Sequence, residues 1–560
     1  MQFKKITLAM AATGLWWASG VAGVSQAYAA EEVAEAQTED AEQKKKIEAR
    51  LAEIKAEEKA AAKAANGYYV ERRSYGTQKE TEPPRYVKQL NKTWLKEYDT
   101  FADIDWLDVG LEYRARYEHR DNDFRRAREN IDDPILLRTR AYLGLKNILD
   151  PFRFAVEAQD SRRNNSDYTR SNDTRDVDKA DFVQAYLELY YKDSIFGKDD
   201  LGNSRPFWIR GGRLAWESLD RRLIARNEWR NTTNTFQGVR ANIGEKKNDW
   251  QLEAFAVQPV QRFTDKLDEV DHSQNFYGVI GDWRRWSEYV TIQPYYFLLR
   301  QNGDDVVYDA NGNLLTGTAQ SQAKIDREIH TGGVRVFGVL PGTQWDYDAS
   351  YVKQWGEIQR FISNAVGYIN VDHDAFAYNA EIGYTFAKHP WKPRFSTSYG
   401  VASGDKTTPT GADRSDSGRF DRLFGFARPW SNNDYIQMEN IRAAKVRVEF
   451  DPQVPYLTNV KVDTGFSWYQ LDDASDRWNA GANLRDRTGN SGRDLGKEFD
   501  LRVRFPVNQY ASLNLGYAHF WAGDFVQDAV SANADNRANF DQNRSKSSDF
   551  FYTELTLYGF

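Results

Sequence analysis

The stretch Leu107-Asp108-Val109-Gly110-Leu111-Glu112-Tyr113-Arg114-Ala115-Arg116-Tyr117-Glu118 puts apolar residues at odd positions and polar residues or glycine at even ones. Side chains on a strand point alternately to opposite faces, so the segment has one apolar side and one charged side. Similar segments recur at 137–146, 152–159, 183–191, 250–256, 376–386, 460–468 and 499–505. Only a closed barrel lets such strands cross lipid with every backbone polar group paired. The pattern therefore predicts an all-β fold, a transmembrane antiparallel β-barrel of about 18 strands in the bacterial outer membrane, in contact with its lipid.

The connections support this. Short gaps near 148–150, 244–248, 341–344, 387–392 and 508–509 alternate with long polar ones near 119–135, 161–180, 301–327, 403–437, 471–496 and 521–548. Short periplasmic turns on one rim and long extracellular loops on the other mark a membrane barrel, whereas a soluble sandwich has no reason to sort its loops by parity. Mean hydropathy is -0.74 and aromatic residues make up 14%, as expected where a polar lumen dilutes the lipid face. Beyond residue 29 no apolar run approaches the roughly 20 residues of a spanning helix. Without cysteine there is no disulfide or thiolate chemistry.

Residues 1–29 read as a secretory signal, with Lys4 and Lys5, an apolar run over 6–18 and the cleavage motif Ala27-Tyr28-Ala29. Losing both lysines takes the formal charge from -7 to -9. Residues 30–66 form a short N-terminal helical periplasmic extension: Ile47, Leu51, Ile54, Ala61 and Ala65 share one stripe, and Gly67 is placed to cap it. Two readings stay open, a coiled-coil-like element for self-association or a periplasmic partner, and a solvated tether. Residues 67–104 are a linker containing Pro83-Pro84, in which Val87, Leu90, Trp94, Leu95 and Tyr98 predict a short amphipathic helix at the membrane surface or the barrel mouth. The barrel follows over 105–560. At its end Phe551, Thr553, Leu555 and Leu557 alternate before Tyr558, and a bulge at Gly559 would bring Phe560 into phase.

Alternation also lists the inward residues. Arg114, Arg116, Arg138, Arg140, Lys146, Arg153, Arg335, Lys445, Arg447, Lys461, Arg502 and Arg504 fall on the lumen face. Arg210 and Arg213 join them if Gly211 and Gly212 form a bulge, leaving Phe207, Ile209, Leu214 and Trp216 toward lipid. Arginine's planar fork binds carboxylates bidentately and keeps its charge. Inward acids are almost as many: Asp108, Glu112, Glu118, Glu157, Glu188, Glu253, Glu381, Glu449, Asp463, Glu498 and Asp500. A wall laced by cross-strand ion pairs is thus the alternative for each arginine. After the fifth strand Arg221, Arg222, Arg226 and Arg230 come with Asp220 and Glu228. Folded into the lumen this connection is an anion filter; standing in solvent it is a charged loop.

Catalytic patterns are absent. The six histidines are scattered, without a zinc motif or a nucleophile elbow. The Asp- and Asn-rich stretches 413–421 and 533–543 lack the ordered oxygen spacing of a calcium loop. No enzyme, cofactor or metal is expected. An acidic exported chain is also a poor nucleic-acid binder.

Four stretches resemble the alginate-export family of outer-membrane porins. They are Gly212-Arg213-Leu214 through Arg221-Arg222-Leu223 and Trp229-Arg230-Asn231 to Phe236-Gln237-Gly238; Tyr399-Gly400-Val401-Ala402-Ser403-Gly404-Asp405; Phe420-Asp421-Arg422-Leu423-Phe424 with Asn440-Ile441; and Gly496-Lys497-Glu498-Phe499-Asp500-Leu501 continuing to Phe520-Trp521-Ala522-Gly523-Asp524-Phe525. The chain departs from the family at Gln237, where Asp is common, and at Ala427-Arg428-Pro429, where a His-containing segment often follows. The resemblance implies a monomeric barrel that passes an anionic uronic-acid polysaccharide outward through a basic lumen. Two alternatives remain: a general porin of the same fold for other small or oligomeric solutes, small anionic ones among them, and a plugged structural or adhesive barrel.

Because alternation begins only near Asp105, deleting residues 30–66 is expected to leave insertion and conductance intact. The product should migrate on gels as a heat-modifiable, detergent-requiring β-protein. Loss of the folded band would make the segment part of the barrel's folding unit.

Overall fold

The computed structural model describes residues 80–560 apart from 168–172, 286–288, 407–415, 427, 456 and 458. The signal and the helical extension lie outside the described residues. The wall has 18 strands: β1 (Leu107–Asp121), β2 (Ile135–Leu145), β3 (Phe152–Asn164), β4 (Asp178–Tyr191), β5 (Phe207–Leu214), β6 (Phe236–Ile243), β7 (Trp250–Gln261), β8 (Gln274–Trp283), β9 (Thr291–Gln301), β10 (Arg327–Val339), β11 (Trp345–Ser363), β12 (Gly367–Thr385), β13 (Arg394–Ala402), β14 (Ile441–Phe450), β15 (Lys461–Gln470), β16 (Asp494–Asn508), β17 (Ala511–Ala522) and β18 (Ser547–Tyr558). Each pairs antiparallel with the next, and β1 also pairs with β18, Glu112 opposite Tyr558 through Asp121 opposite Asp549. The ladder closes without a free edge. Long and short connections alternate as the sequence predicts, with two exceptions: the 192–206 turn is long, and the 364–366 loop is short.

Alternation on β1 holds throughout. Leu111, Tyr113 and Tyr117 are exposed to the lipid side, and Asp108, Glu112, Arg114, Arg116 and Glu118 are buried inside. On β18 Phe551, Leu555 and Leu557 face out while Tyr552 turns in. Aromatic rings line the periplasmic rim, where Trp345 packs on Tyr384, Phe386 on Phe395 and Trp391 on Phe450. Such rings suit an interface that is apolar on one side and wet on the other.

The upper lumen is not the polar space that alternation suggests. Phe236, Phe255, Phe276 and Phe297 point inward from β6 to β9 and form a cluster with Trp216, Phe420, Trp430 and Tyr435 from the loops. The connection 215–235 and the described residues 416–426 and 428–440 of the 403–440 connection fold into the barrel and join each other in a short parallel bridge, Ile224 beside Phe424. Three backbone bonds flank it: Ala225 N to Phe424 O (3.1 Å), Phe424 N to Leu223 O (3.0 Å) and Phe426 N to Arg221 O (2.9 Å). Each large apolar side chain buried this way contributes about 1.5–3 kcal/mol.

The periplasmic end differs from expectation in three respects. Residues 87–98 do not form one amphipathic helix. Val87–Gln89 is a strand paired with β1, Leu90–Lys92 and Trp94–Glu97 are single 3-10 turns, and Asp99–Ala102 is a short helix. The reason lies in β1, whose base below Glu112 has no partner on β18; Val87 opposite Gly110 and Gln89 opposite Asp108 satisfy that edge. Glycine is needed at 110, since a Cβ there would stand 2.7 Å from the Tyr86 ring. Second, no bulge forms at Gly559. The strand ends at Tyr558, Gly559 N donates to Leu111 O (2.9 Å), and Lys88 Nζ donates to Phe560 O (2.6 Å). Third, the ladder runs through Gly211 and Gly212 without a register shift. Arg210 and Arg213 therefore lie on opposite faces. Leu214 and Trp216 belong to the internal cluster, not to the lipid face.

Leu555 sits mid-strand on the lipid face, opposite Leu513 and Ala115. Leu555→Arg is expected to destabilise the barrel by about 2–4 kcal/mol, read from the folded fraction on urea titration in detergent.

Candidate functional site

The connection after β5 is held by the arginines that alternation places on β1 and β2. Arg114 donates to the carbonyls of Glu228 and Arg230, both at 2.8 Å, and Arg116 to that of Trp229 at 2.5 Å. Arg138 pairs with Glu112 (2.7 Å) and Glu228 (3.4 Å), and Arg140 with Glu228 (2.6 Å). Asn231, fully buried, donates to the carbonyls of Leu137, Arg162 and Asp176 at 2.8–3.1 Å. A carbonyl or carboxylate buried here would be costly without such donors, so the four guanidiniums fix the loop tip in the lumen.

Within the loop, the expected filter arginines are themselves paired. Arg222 bonds Asp220 (2.5 Å) and lies over Trp430; Arg226 bonds Glu157 (2.5 Å) and Glu228 (2.6 Å); Arg221 lies over Phe426. Of the four, Arg230 alone remains half-buried and forms no ion pair with a described residue. Burial, with the Arg175 guanidinium beside it, pulls its pKa down to about 9, which leaves it a cation at neutral pH. Farther round the wall, ion-pair lacing prevails: Arg335 with Asp348, Lys445 with Asp500 (2.7 Å), and Arg447, Arg502 and Arg504 all on Asp463 at 2.9–3.6 Å. Arg210 pairs inside with Glu188 (2.5 Å), whereas Arg213 bonds Asp181 (2.9 Å) and the Asp268 carbonyl (2.8 Å).

Two cavities result. The outer one, about 590 Å³, is lined by Arg327, Arg360, Arg419, Arg422, Arg477, Arg485 and Arg487 against Asp405, Asp421 and Glu439. The inner one, about 640 Å³, has Arg85, Lys88, Arg114, Arg138, Lys461, Arg502 and Arg504 against Glu80, Glu112, Glu228 and Glu554. A cleft of about 30 Å³ around Arg175 and Arg230 adjoins the inner cavity, and Trp229 is a wall of both. Its ring is clamped between Arg116 at 3.8 Å and Arg428 at 3.3 Å, with Tyr552 edge-on at 4.6 Å. Trp229 thus separates this cleft from the inner cavity.

Residues 105–540 match the alginate-export family. The chain belongs to that family. It is accordingly a bacterial outer-membrane channel. Its fold is similar to that of OccAB2 of Acinetobacter baumannii, with a TM-score of 0.50 and 11% identity over 81% of this chain and 97% of that one. OccK3 (OpdO) and the outer membrane protein OpdK, both of Pseudomonas aeruginosa, give TM-scores of 0.47 and 0.48 at 13% and 10% identity. They cover 81% of this chain and 95% and 98% of their own. The curated proteins give no match.

In this member of the family the four stretches acquire physical roles. Trp229-Arg230-Asn231 is the tip of the inward loop, and Asp421 and Arg422 of the third stretch line the outer cavity. Arg428, from the departing stretch, covers the Trp229 ring. Missed from the sequence were the loop arginines of the outer cavity, which have no alternation to mark them; only the third stretch pointed there. Three buried carboxylates, Asp178, Asp181 and Asp268, also converge, with oxygens within 4.8 Å of one another. Burial and the two neighbouring aspartates push Asp268 above the usual carboxylate range. They are spaced to hold a cation, although Arg213 already bonds Asp181.

Trp229→Ala is expected to merge the cleft with the inner cavity and raise single-channel conductance. It should also lower stability by about 3–5 kcal/mol, measured by the heat-modifiability midpoint.

Proposed function

We propose that the channel carries an anionic saccharide, foremost a uronic-acid polymer or oligomer leaving the cell, along surplus guanidinium groups. The observation behind this reading is the charge on the cavities: seven arginines against three acids outside, and seven cationic residues against four acids inside. The wall acids Asp463, Glu112 and Asp500, which would repel a carboxylate, are neutralised by Arg502, Arg138 and Lys445. What a solute meets is the remainder. Arg230 in the cleft and Arg422 in the outer cavity form no ion pair with described residues; Arg175 lies close enough to act on both, and Arg262 on Arg230.

A carboxylate at one fork thus has the next positive charge ahead of it, and exchange between charge-assisted bonds avoids full desolvation at each step. Low-dielectric walls focus this field, whereas loop charges outside are screened within about 8 Å at physiological salt. The outward direction rests on the family.

The separate linings of the two cavities favour a second reading, a short anionic solute or oligomer that fills them in turn. Reversing Arg222 and Arg226 to Glu would break buried pairs with Asp220 and Glu157, so that substitution tests folding rather than selectivity. Replacing Arg230 and Arg422 together by Gln is the sharper test, since neither forms an ion pair with a described residue. The reversal potential in a salt gradient should move toward cations, and block by added polyuronate should weaken at least about tenfold. Replacing the exposed Arg128, Arg162 and Arg285 should do little. A cation-selective wild-type channel would overturn the reading, and release of uronate oligomers but not polymer from loaded vesicles would favour the shorter solute.

A further inference from the structure

The inner cavity contains a stretch of this chain's own backbone. Residues 80–89 run upward from the β1 edge, Tyr86 donates to Glu157 (2.9 Å), and the Glu80 amide reaches Glu217 (2.9 Å) at the root of the inward loop. The Glu80 carboxylate organises the stretch, accepting from the amides of Thr81 (3.0 Å) and Arg85 (2.8 Å). Glu82 then projects between β5 and β6. Arg240 Nη1 donates to both of its oxygens at 2.8 Å, and Arg210 Nη1 donates to one of them. Each arginine also holds one wall acid, Glu188 for Arg210 and Glu253 (2.6 Å) for Arg240, and both lie over the Trp208 ring.

Two forks on one carboxylate beside an indole are a receptor for an acidic sugar: the forks take the carboxylate and the ring takes an apolar sugar face. Unlike the wall acids, Glu82 comes from outside the barrel strands, and 30% of its side chain is open to the lumen. We infer that Arg210 and Arg240 form a carboxylate-binding site for uronate residues on the periplasmic side, and that Glu82 occupies it as a resident stand-in until the solute displaces residues 80–85, the Val87–Gln89 strand staying in place. This rests on the anionic-saccharide reading above. Burial alone would raise the Glu82 carboxyl, but Arg240 and Arg210 outweigh it and hold it at about 2. Its contribution to holding the segment is therefore complete above the ordinary carboxylate value and fades only as pH falls toward 2. Physiological acidification does not release the segment; a competing carboxylate does.

The test uses the full chain in planar bilayers, with glucuronate added on the periplasmic side. Glu82→Gln should strengthen glucuronate block by about tenfold, the gain for a site whose resident ligand holds it nine-tenths of the time. Adding Arg240→Gln should abolish that gain, and a chain lacking 30–84, which keeps the Val87–Gln89 strand, should behave like Glu82→Gln. Folding of each variant is checked by heat-modifiability. Unchanged block in Glu82→Gln overturns the site, as does a gain that persists with Arg240→Gln. The two readings separate by reversal potential: an anion-selective channel with no gain in Glu82→Gln loses only the resident ligand, and a cation-selective channel that still shows the gain loses only the anion-transport reading.

Discussion

Lipid offers a backbone no hydrogen-bond partner, and the rest of the structure follows from that constraint. The ladder must close, which it does where Glu112 to Asp121 meet β18. Closure is incomplete at the foot of β1, and Val87–Gln89 supplies the missing strand. A segment recruited to satisfy three residues of edge thereby enters the lumen, and the residues before it come within reach of Arg210 and Arg240. The occupancy of the inner cavity is in this sense a consequence of how the barrel seals.

A second demand acts inside. Once the loop 215–235 and the described residues 416–426 and 428–440 fold inward, their carbonyls and carboxylates need donors, and the wall meets that need with Arg114, Arg116, Arg138 and Arg140. Removing one partner of such a buried pair destabilises far more than the pair itself contributes. The same residue type thus has two duties in one lumen, anchoring the loop at Glu228–Asn231 and presenting surplus charge at Arg230 and Arg422. Trp229 stands where the two meet, gripped by Arg116 and Arg428.

Strand identity, inward faces and the parity of the connections were legible because period-two alternation is a local property that a two-sided environment imposes on each strand. On β1 every inward assignment holds. At Gly211 and Gly212 the local signal misled: the φ of +136° at Gly212 marks a close backbone approach to Ala185, not an inserted residue. The phenylalanines of β7 to β9 were a signal of another kind. Apolar residues on both faces of a barrel strand mark where something packs from within.

The sequence by itself determined the closed barrel, its strand phases and the arginine-rich character of its interior, since these depend on composition and spacing along single strands. Only the tertiary structure decided which arginines are bound and which are left for a solute. Pairing depends on which loop enters the lumen and whose carboxylate arrives there, as with Glu228 on Arg140 and Glu82 on Arg240. The partners of these pairs are separated in sequence by 88 and 158 residues, and no periodicity spans such distances.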